Sequence, residues 1–369
     1  MQKDQTARKP SISVVMTTYN SAPFIQEAIE SVLNQTFEDF EFVIVDDASE
    51  DRTSQLIHGF KDPRIVYMRN ARNVGQTESL NTAIKNSYGK YIARMDADDV
   101  SYPERLKLQY EFLENYPQIA LVGSSIHIER ERKKLKRFQF PTNPLEIKCF
   151  LAGSGDLSYW CLSHPVVMMR REILEEVGFY NAERGRGSGY PQDYELWHKL
   201  SGRYMFANLK KPLLKYRFLF NSDSRTFMEK QFQERMRITA EKIKYYLPKM
   251  EENEIVSLCR MLEYHPQHSS AEGKKVFSLF ETYYDQYVGP LKSHRTARRI
   301  KQQLKLYYLP QLFATNKLLV LREAIRLFMV YPSFLLDKKF YRKFFKALLL
   351  RIVPKRHQSE FLIKNLFYR

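Results

Sequence analysis

Short apolar clusters recur along the first hundred positions, and their spacing alternates between two periods. Ser11-Ile12-Ser13-Val14-Val15-Met16-Thr17 is a β-rich run that predicts a strand. Between Ala22 and Gln35, Ile25, Ile29, Val32 and Leu33 gather on one side of a helix. The alternation then repeats: a strand over Phe40 to Asp46, a helix over Arg52 to Phe60, a strand over Ile65 to Arg69, a helix over Gln76 to Ser87, and a strand over Tyr91 to Met95. Such regular exchange predicts βαβ units, and hence an α/β domain with a mostly parallel sheet flanked by helices.

The regularity loosens further on. A helix is predicted from Pro103 to Asn115 and a strand over Ile119 to Gly123. Residues 126–220 read as mixed, with strand-like pieces at Val166 to Met169, Tyr204 to Asn208 and Leu213 to Phe218, and a helix beginning near Gln192. Beyond Phe227 the pattern is helical and punctuated by Pro248, Pro266, Pro290, Pro310 and Pro332. The expected organisation is an α/β domain over residues 1–225 and an all-helical region over 226–369.

Charge sharpens that division. The 369 residues carry a net +17. Residues 1–209 hold 26 basic and 28 acidic side chains, and residues 210–369 hold 33 and 14, so the excess belongs to the second part. A near-neutral module for chemistry joined to a cationic one that meets something anionic is the physical reading. Lys338 to Leu348 is its clearest segment: Phe340, Phe344, Ala347 and Leu348 fall on one helical face, and Lys339, Arg342, Lys343 and Lys346 on the other, as in a helix lying on an anionic membrane surface. Leu318 to Leu336 is too interrupted by Arg322, Glu323 and Arg326 to span a bilayer, at roughly 2.5–3.5 kcal/mol per central charge. Met1 to Pro10 has no apolar stretch, so the expected location is cytoplasmic, with the basic region able to attach peripherally to the cytoplasmic face of a membrane. Cys149, Cys161 and Cys259 have neither metal-site nor disulfide spacing and are expected to be buried apolar side chains.

In a parallel sheet, ligands bind beyond the carboxyl ends of the strands. Polar residues stand there: Thr17-Thr18-Tyr19-Asn20, Asp46-Asp47-Ala48-Ser49 and Asp96-Ala97-Asp98-Asp99. The second group has an equally good reading as a helix cap. The third does not, because three carboxylates within four residues repel one another unless a cation neutralises them. Oxygen ligands suit Mg²⁺ or Mn²⁺, held with the phosphates of a substrate.

Ser13-Val14-Val15-Met16-Thr17-Thr18-Tyr19-Asn20, Ser31-Val32-Leu33-Asn34-Gln35-Thr36, Val45-Asp46-Asp47-Ala48-Ser49, Asn73-Val74-Gly75 and Ala93-Arg94-Met95-Asp96-Ala97-Asp98-Asp99, taken in order, resemble the family 2 glycosyltransferases of the GT-A fold. The resemblance implies an inverting transfer of a sugar from a nucleotide-diphosphate donor, with UDP favoured, to an acceptor hydroxyl. It puts Thr17 and Tyr19 at the nucleotide edge and Asp47 on the uracil. It matches Asp96 and Asp98 to the D-x-D motif, with Asp98 the principal metal ligand, Asp96 nearer the ribose and also a candidate ligand, and Asp99 either a further ligand or a cap. Tyr190-Pro191-Gln192-Asp193-Tyr194-Glu195-Leu196-Trp197 is similar to the family's E-D-Y-x-L-W motif, which makes Asp193 the general base. Gln192 stands where many members have Glu. Acceptors in such relatives are saccharides or lipid-linked saccharides of surface polysaccharides.

Other residues keep two readings. Gly185 to Gly189 is a mobile acceptor loop or a connector, His164 lines the site or is structural, and Arg170 and Arg171 approach phosphates or begin a helix in solvent. A nucleic-acid-binding protein built on the basic tail and a nucleotidyltransferase are the rival functions. The neutral N-terminal module speaks against the first, so no nucleic acid is expected as partner. The second lacks a Gly-rich basic loop after the first strand.

Overall fold

A computed structural model of the chain describes residues 9–130, 135–153, 161–185, 190–219, 228–263 and 270–312. The chain divides into two compact units, Met1–Leu151 with Asp156–Arg235, and Met236–Arg369 with the short segment Ala152–Gly155. The change of character expected near residue 225 falls outside the described residues.

The first unit is organised by β1 (Ile12–Thr18), β2 (Phe40–Asp46), β3 (Ile65–Arg69) and β4 (Tyr91–Asp96), which lie in the order β3-β2-β1-β4, all parallel. β1 is flanked on both sides and buried along its whole length, which is why its sequence is a run rather than an alternation. α1 (Ile25–Leu33), α2 (Thr53–His58) and α3 (Gln76–Lys85) are the crossovers. α1 buries Ile25, Ala28, Ile29 and Val32, the stripe that its three-and-four spacing predicted. The register sets Thr17 of β1 beside Asp96 of β4, and Thr18 beside Asp46 of β2, so the polar strand ends form one edge.

Beyond β4 the sheet mixes directions. After the short β5 (Val100–Ser101) and α4 (Arg105–Asn115) come β6 (Ile119–Arg130), β7 (Lys136–Phe138), α5 (Pro144–Leu151), β8 (Met168–Arg170), α6 (Arg171–Val177), α7 (Gln192–Ser201) and β9 (Met205–Phe218). β8 is antiparallel to both β4 and β6, β9 runs parallel to β6, and β5 and β7 pair antiparallel with β9 and β6. The two expected pieces at 204–208 and 213–218 are one strand. Exposed Lys210 and Lys211 and Pro212 fall where the register shifts, and this irregularity reads as a gap in sequence.

Arg170 and Arg171 are not arginines standing free in solvent at a helix start: their guanidiniums are taken up by main-chain carbonyls. Arg170 is buried and donates to the carbonyls of Ile119, Leu113 and Tyr116. Arg171 donates to the carbonyls of Gly89 and Ile84. The guanidiniums satisfy carbonyls where chain segments end, a task that needs several donors on a fixed plane.

The second unit contains α8 (Met228–Tyr246, shared with the end of the first), α9 (Glu252–Leu262), α10 (Ser270–Val288), a 3₁₀ turn at Gly289–Ser293 and α11 (Arg295–Leu312), with no strand among its described residues. Ile255, Leu258, Leu262, Phe280, Tyr284, Ile300, Leu304 and Tyr308 are in its core. α9 opens with a capping box between Glu251 and Glu254. Pro248 separates α8 from α9 and Pro290 lies in the 3₁₀ turn, but Pro310 does not break an element: it sits in the last described turn of α11, where proline forfeits a single intrahelical bond. Pro266, Pro332, Leu318 to Leu336 and the Lys338 to Leu348 segment lie outside the described residues. All three cysteines are free and buried, as expected.

Candidate active site

The carboxylates at the end of β4 converge. Asp96, Asp98 and Asp99 each offer an oxygen, and these oxygens lie within 4.8 Å of one another. Arg94, an arginine within a buried strand, forms an ion pair with Asp96. Arg217 of β9 closes the other side: its main-chain N–H donates to Asp99 Oδ1 (2.9 Å) and its guanidinium to the Asp98 carbonyl (2.9 Å). The β5–β9 ladder, with Val100 opposite Lys215, brings that arginine in from more than a hundred residues away.

These contacts leave the cluster short of positive charge. Asp99 is fully buried and its Oδ2 has no hydrogen-bond partner. Burial, with the neighbouring Asp96 charge, pushes the Asp98 carboxyl up to about 6, and burial with both neighbours pushes Asp99 well above the usual carboxylate range. Tyr216, beside Arg217 on β9, is held protonated by burial and by the same carboxylates. An orphaned buried oxygen within three converging carboxylates is the donor set of a hard divalent cation, and the residues fit one.

The end of β2 is different. Asp46 accepts from the Ser49 N–H (2.8 Å), the Tyr67 hydroxyl (3.0 Å) and Arg69 (3.3 Å). Asp47 accepts from Asn70 (2.7 Å) and from the main-chain N–H groups of Val74 (2.9 Å) and Gly75 (2.8 Å). It thereby shapes the loop before α3, where Gly75 takes a φ of 94° that a side chain would strain. Asn20 and Ala48, at the ends of β1 and β2, also have positive φ (49° and 63°), backbone strain of the kind that collects at functional sites. Thr17 is buried at this edge, and Tyr19 is 46% exposed beyond it.

Asp193 arrives from the first turn of α7. Pro191 occupies the cap position, so Asp193 is inside the helix, and its Oδ1 accepts from the Tyr194 N–H (2.8 Å). Burial raises its proton affinity, the Tyr194 N–H and the Arg94 charge lower it, and the Asp96 charge raises it again. The general-base candidate and the D-x-D cluster therefore share one electrostatic environment. Gln192 Nε2 donates to Gln76 Oε1 at the start of α3 (2.6 Å). His164 is a buried structural histidine: Nε2 meets the Tyr180 hydroxyl at 2.8 Å, the ring stands edge-on to Trp197, and burial with the Arg94 charge keeps it neutral. Of the Gly185 to Gly189 loop, only Gly185 is described.

Arg94, Tyr180, Tyr216 and Arg217 belong to this edge and were given no role from sequence. A charge inside the apolar run Tyr91-Ile92-Ala93-Arg94-Met95 was the signal for the first. Nothing local marks the other three.

The sequence profile of Glycosyl transferase family 2 matches residues 13–178. An uncharacterized glycosyltransferase of Methanocaldococcus jannaschii is 35% identical over 215 residues, covering 57% of this chain and 71% of its own. The O-antigen biosynthesis glycosyltransferase WbnJ of Escherichia coli is 31% identical over 217 residues, 56% of this chain and 79% of its own. An uncharacterized glycosyltransferase of Haemophilus influenzae is 29% identical over 314 residues, 80% of this chain and 95% of its own. The crystal structure of S. aureus TarS in complex with UDP-GlcNAc shares the fold, with a TM-score of 0.53 at 18% identity over 82% of this chain and 81% of that one. The mixed sheet flanked by helices is the GT-A fold. The chain belongs to glycosyl transferase family 2 and is a glycosyltransferase enzyme. None of these relatives supports the nucleic-acid or nucleotidyl-transfer readings.

Proposed function

We propose that the protein is an inverting glycosyltransferase that uses a UDP-sugar, a divalent metal and Asp193 as general base to glycosylate a saccharide or lipid-linked saccharide of a surface polysaccharide. The observation that carries this reading is the unpartnered Oδ2 of Asp99 within the carboxylate cluster, in electrostatic reach of Asp193. Asp98, Asp96 and Asp99 would hold Mn²⁺ or Mg²⁺, which stabilises charge on the leaving diphosphate. Thr17, Tyr19 and Asp47 would receive the nucleotide, with Asp96 toward the ribose. Asp47 meets the base while it braces the 70–75 loop. Asp193 takes the acceptor proton as the hydroxyl attacks, and burial suits it to that role by raising its affinity for the proton. WbnJ, named for O-antigen biosynthesis, supports the polysaccharide setting.

No described helix is long and apolar enough to cross a membrane. The second unit exposes Lys292, His294, Arg295 and Arg298 in one short stretch. Each basic side chain near an anionic leaflet contributes about 1 kcal/mol, so peripheral membrane attachment through this region is part of the proposal. The domain assignment, 1–225 for transfer and 226–369 for attachment, follows the same reading.

A panel of UDP-, GDP- and dTDP-sugars, read by thermal shift and nucleotide release with and without Mn²⁺, tests the reading. Indifference to every sugar nucleotide and to metal sinks it. Asp193→Asn is expected to keep donor binding and lower turnover about 10²–10⁴-fold. Because the Asp193 carboxyl is raised, wild-type kcat/KM should fall as pH drops through that raised value and hold above it; an acid limb at the ordinary carboxylate pKa would count against it as the base.

A further inference from the structure

α3 touches both sides of the site. Its start is held by Asp47 through the N–H groups of Val74 and Gly75, and Asn70, bonded to Asp47, also reaches Ser79 within the helix (2.9 Å). Its buried face carries Asn81, which is 5% exposed and grips the main chain of one residue on both sides of its Cα: Nδ2 donates to the Tyr180 carbonyl (2.8 Å), and Oδ1 accepts from the Tyr180 N–H (3.1 Å). A side-chain amide bonded to both polar groups of one residue allows that residue little freedom.

The gripped residue follows a strained turn. Gly178 and Phe179 have φ of 80° and 66°, and Phe179 is not a residue that adopts this conformation readily. Strain of this kind persists only where the surroundings hold it, and Asn81 bonds the very next residue. From there the contacts lead to α7. The Tyr180 hydroxyl meets His164, whose ring stands against Trp197 of α7. Asn181 donates to Glu195 Oε1 (3.2 Å), and the Tyr190 hydroxyl donates to Glu195 Oε2 (2.8 Å). Glu195 is buried and stands two residues after Asp193 on the same turn. A second, more exposed tie joins Gln76 to Gln192, next to Asp193. The segment has no slack where it passes α3, since a Cβ on Gly185 would come within 2.4 Å of Thr77.

We propose that Asn81 is a positioning residue for the transfer step: by clamping the main chain at Tyr180 it holds α7 so that Asp193 keeps its place relative to Asp96, and the Gln76–Gln192 pair is a lesser second brace. This rests on the reading of Asp193 as the base. It also gives Gln192 a use that needs no charge. A neutral amide meets the Gln76 amide carbonyl as a donor, which a carboxylate in its place does not do.

The test uses the full chain with Mn²⁺ and the UDP-sugar that the panel selects, following UDP release, with UDP binding as the check on the donor side. Asn81→Ala is expected to lower kcat on the order of 10²-fold, the scale of a small misplacement of a reacting group, with donor KM and UDP affinity within about twofold. Asn86→Ala, at the exposed asparagine that follows α3 and bonds back to the Thr82 carbonyl, should change nothing. In an Asp193→Asn background Asn81→Ala should cost no further rate. An unchanged kcat, or kcat and donor affinity falling together, overturns the proposal. Where Asn81→Ala does not fold, Gln76→Ala and Gln192→Ala decide: a loss of about threefold in kcat at constant KM supports the brace, and wild-type kcat removes it. Full turnover by Asp193→Asn alone would instead remove the base, whereas an inactive Asp193→Asn beside a fully active Asn81→Ala removes only the brace.

Discussion

The two strands that flank β1 both end in carboxylates, and the two ends have opposite characters. At β2, Asp46 and Asp47 are nearly inaccessible, yet every oxygen is used: six donors from Ser49, Tyr67, Arg69, Asn70, Val74 and Gly75 surround the two groups. At β4, Asp99 keeps a buried oxygen with no donor, and the Asp98 carboxyl rises to about 6. Hydrogen bonds to a charged group each stabilise by about 1.5–3 kcal/mol, whereas a buried group left without one costs a comparable amount. The β2 pair is therefore satisfied scaffold, whereas the β4 cluster is left destabilised, as the cation site proposed above requires. Carboxylate content alone does not distinguish them; the placement of donors does.

The sharpest way to break this contrast is Asp98→Asn. It should lower turnover on the order of 10²–10³-fold and abolish the Mn²⁺-dependent thermal shift, without lowering the melting temperature of the metal-free protein. If metal-free stability drops instead, the β4 cluster is scaffold like the β2 pair. Asp47→Ala should do the reverse in the folded protein, leaving the main-chain N–H groups of Val74 and Gly75 unpaired and Asn70 with Ser79 alone, and costing about 3 kcal/mol in urea unfolding. A loss confined to donor affinity, with stability intact, would make Asp47 a binding residue alone. The smallest effect is expected for Asp99→Asn, which removes a buried repulsive charge: the metal-free melting temperature should rise by about 2–4 °C, and the rise should vanish at saturating Mn²⁺. An Asp99→Asn protein less stable than wild type would mean that its carboxylate is satisfied after all.

Much of the parallel half was legible along the chain. The strands of the parallel half, with boundaries matched to within a residue or so, follow from runs such as Phe40 to Asp46, because a strand buried on both faces must be continuously apolar. The polar residues at their carboxyl ends follow from the same pattern, and Asp193 followed from its motif. The other half was less readable. β6 runs on through Ser124, Ser125 and His127, and β9 crosses Lys210 and Lys211, so polarity hides strands that only their partners reveal. Arg170 and Arg171 looked like surface residues because nothing beside them in sequence shows the carbonyls they meet.

The amino-acid order by itself determined the alternation of strand and helix, the edge at which chemistry gathers and the residue types available there, since period and local polarity act over a few positions. Only the tertiary structure decided which of those residues are satisfied and which are left wanting. Arg217 reaches Asp98 and Asp99 across 118 or 119 positions, and Asn81 reaches Tyr180 across 99. Such partners are chosen by sheet register and helix packing, and no local pattern encodes them.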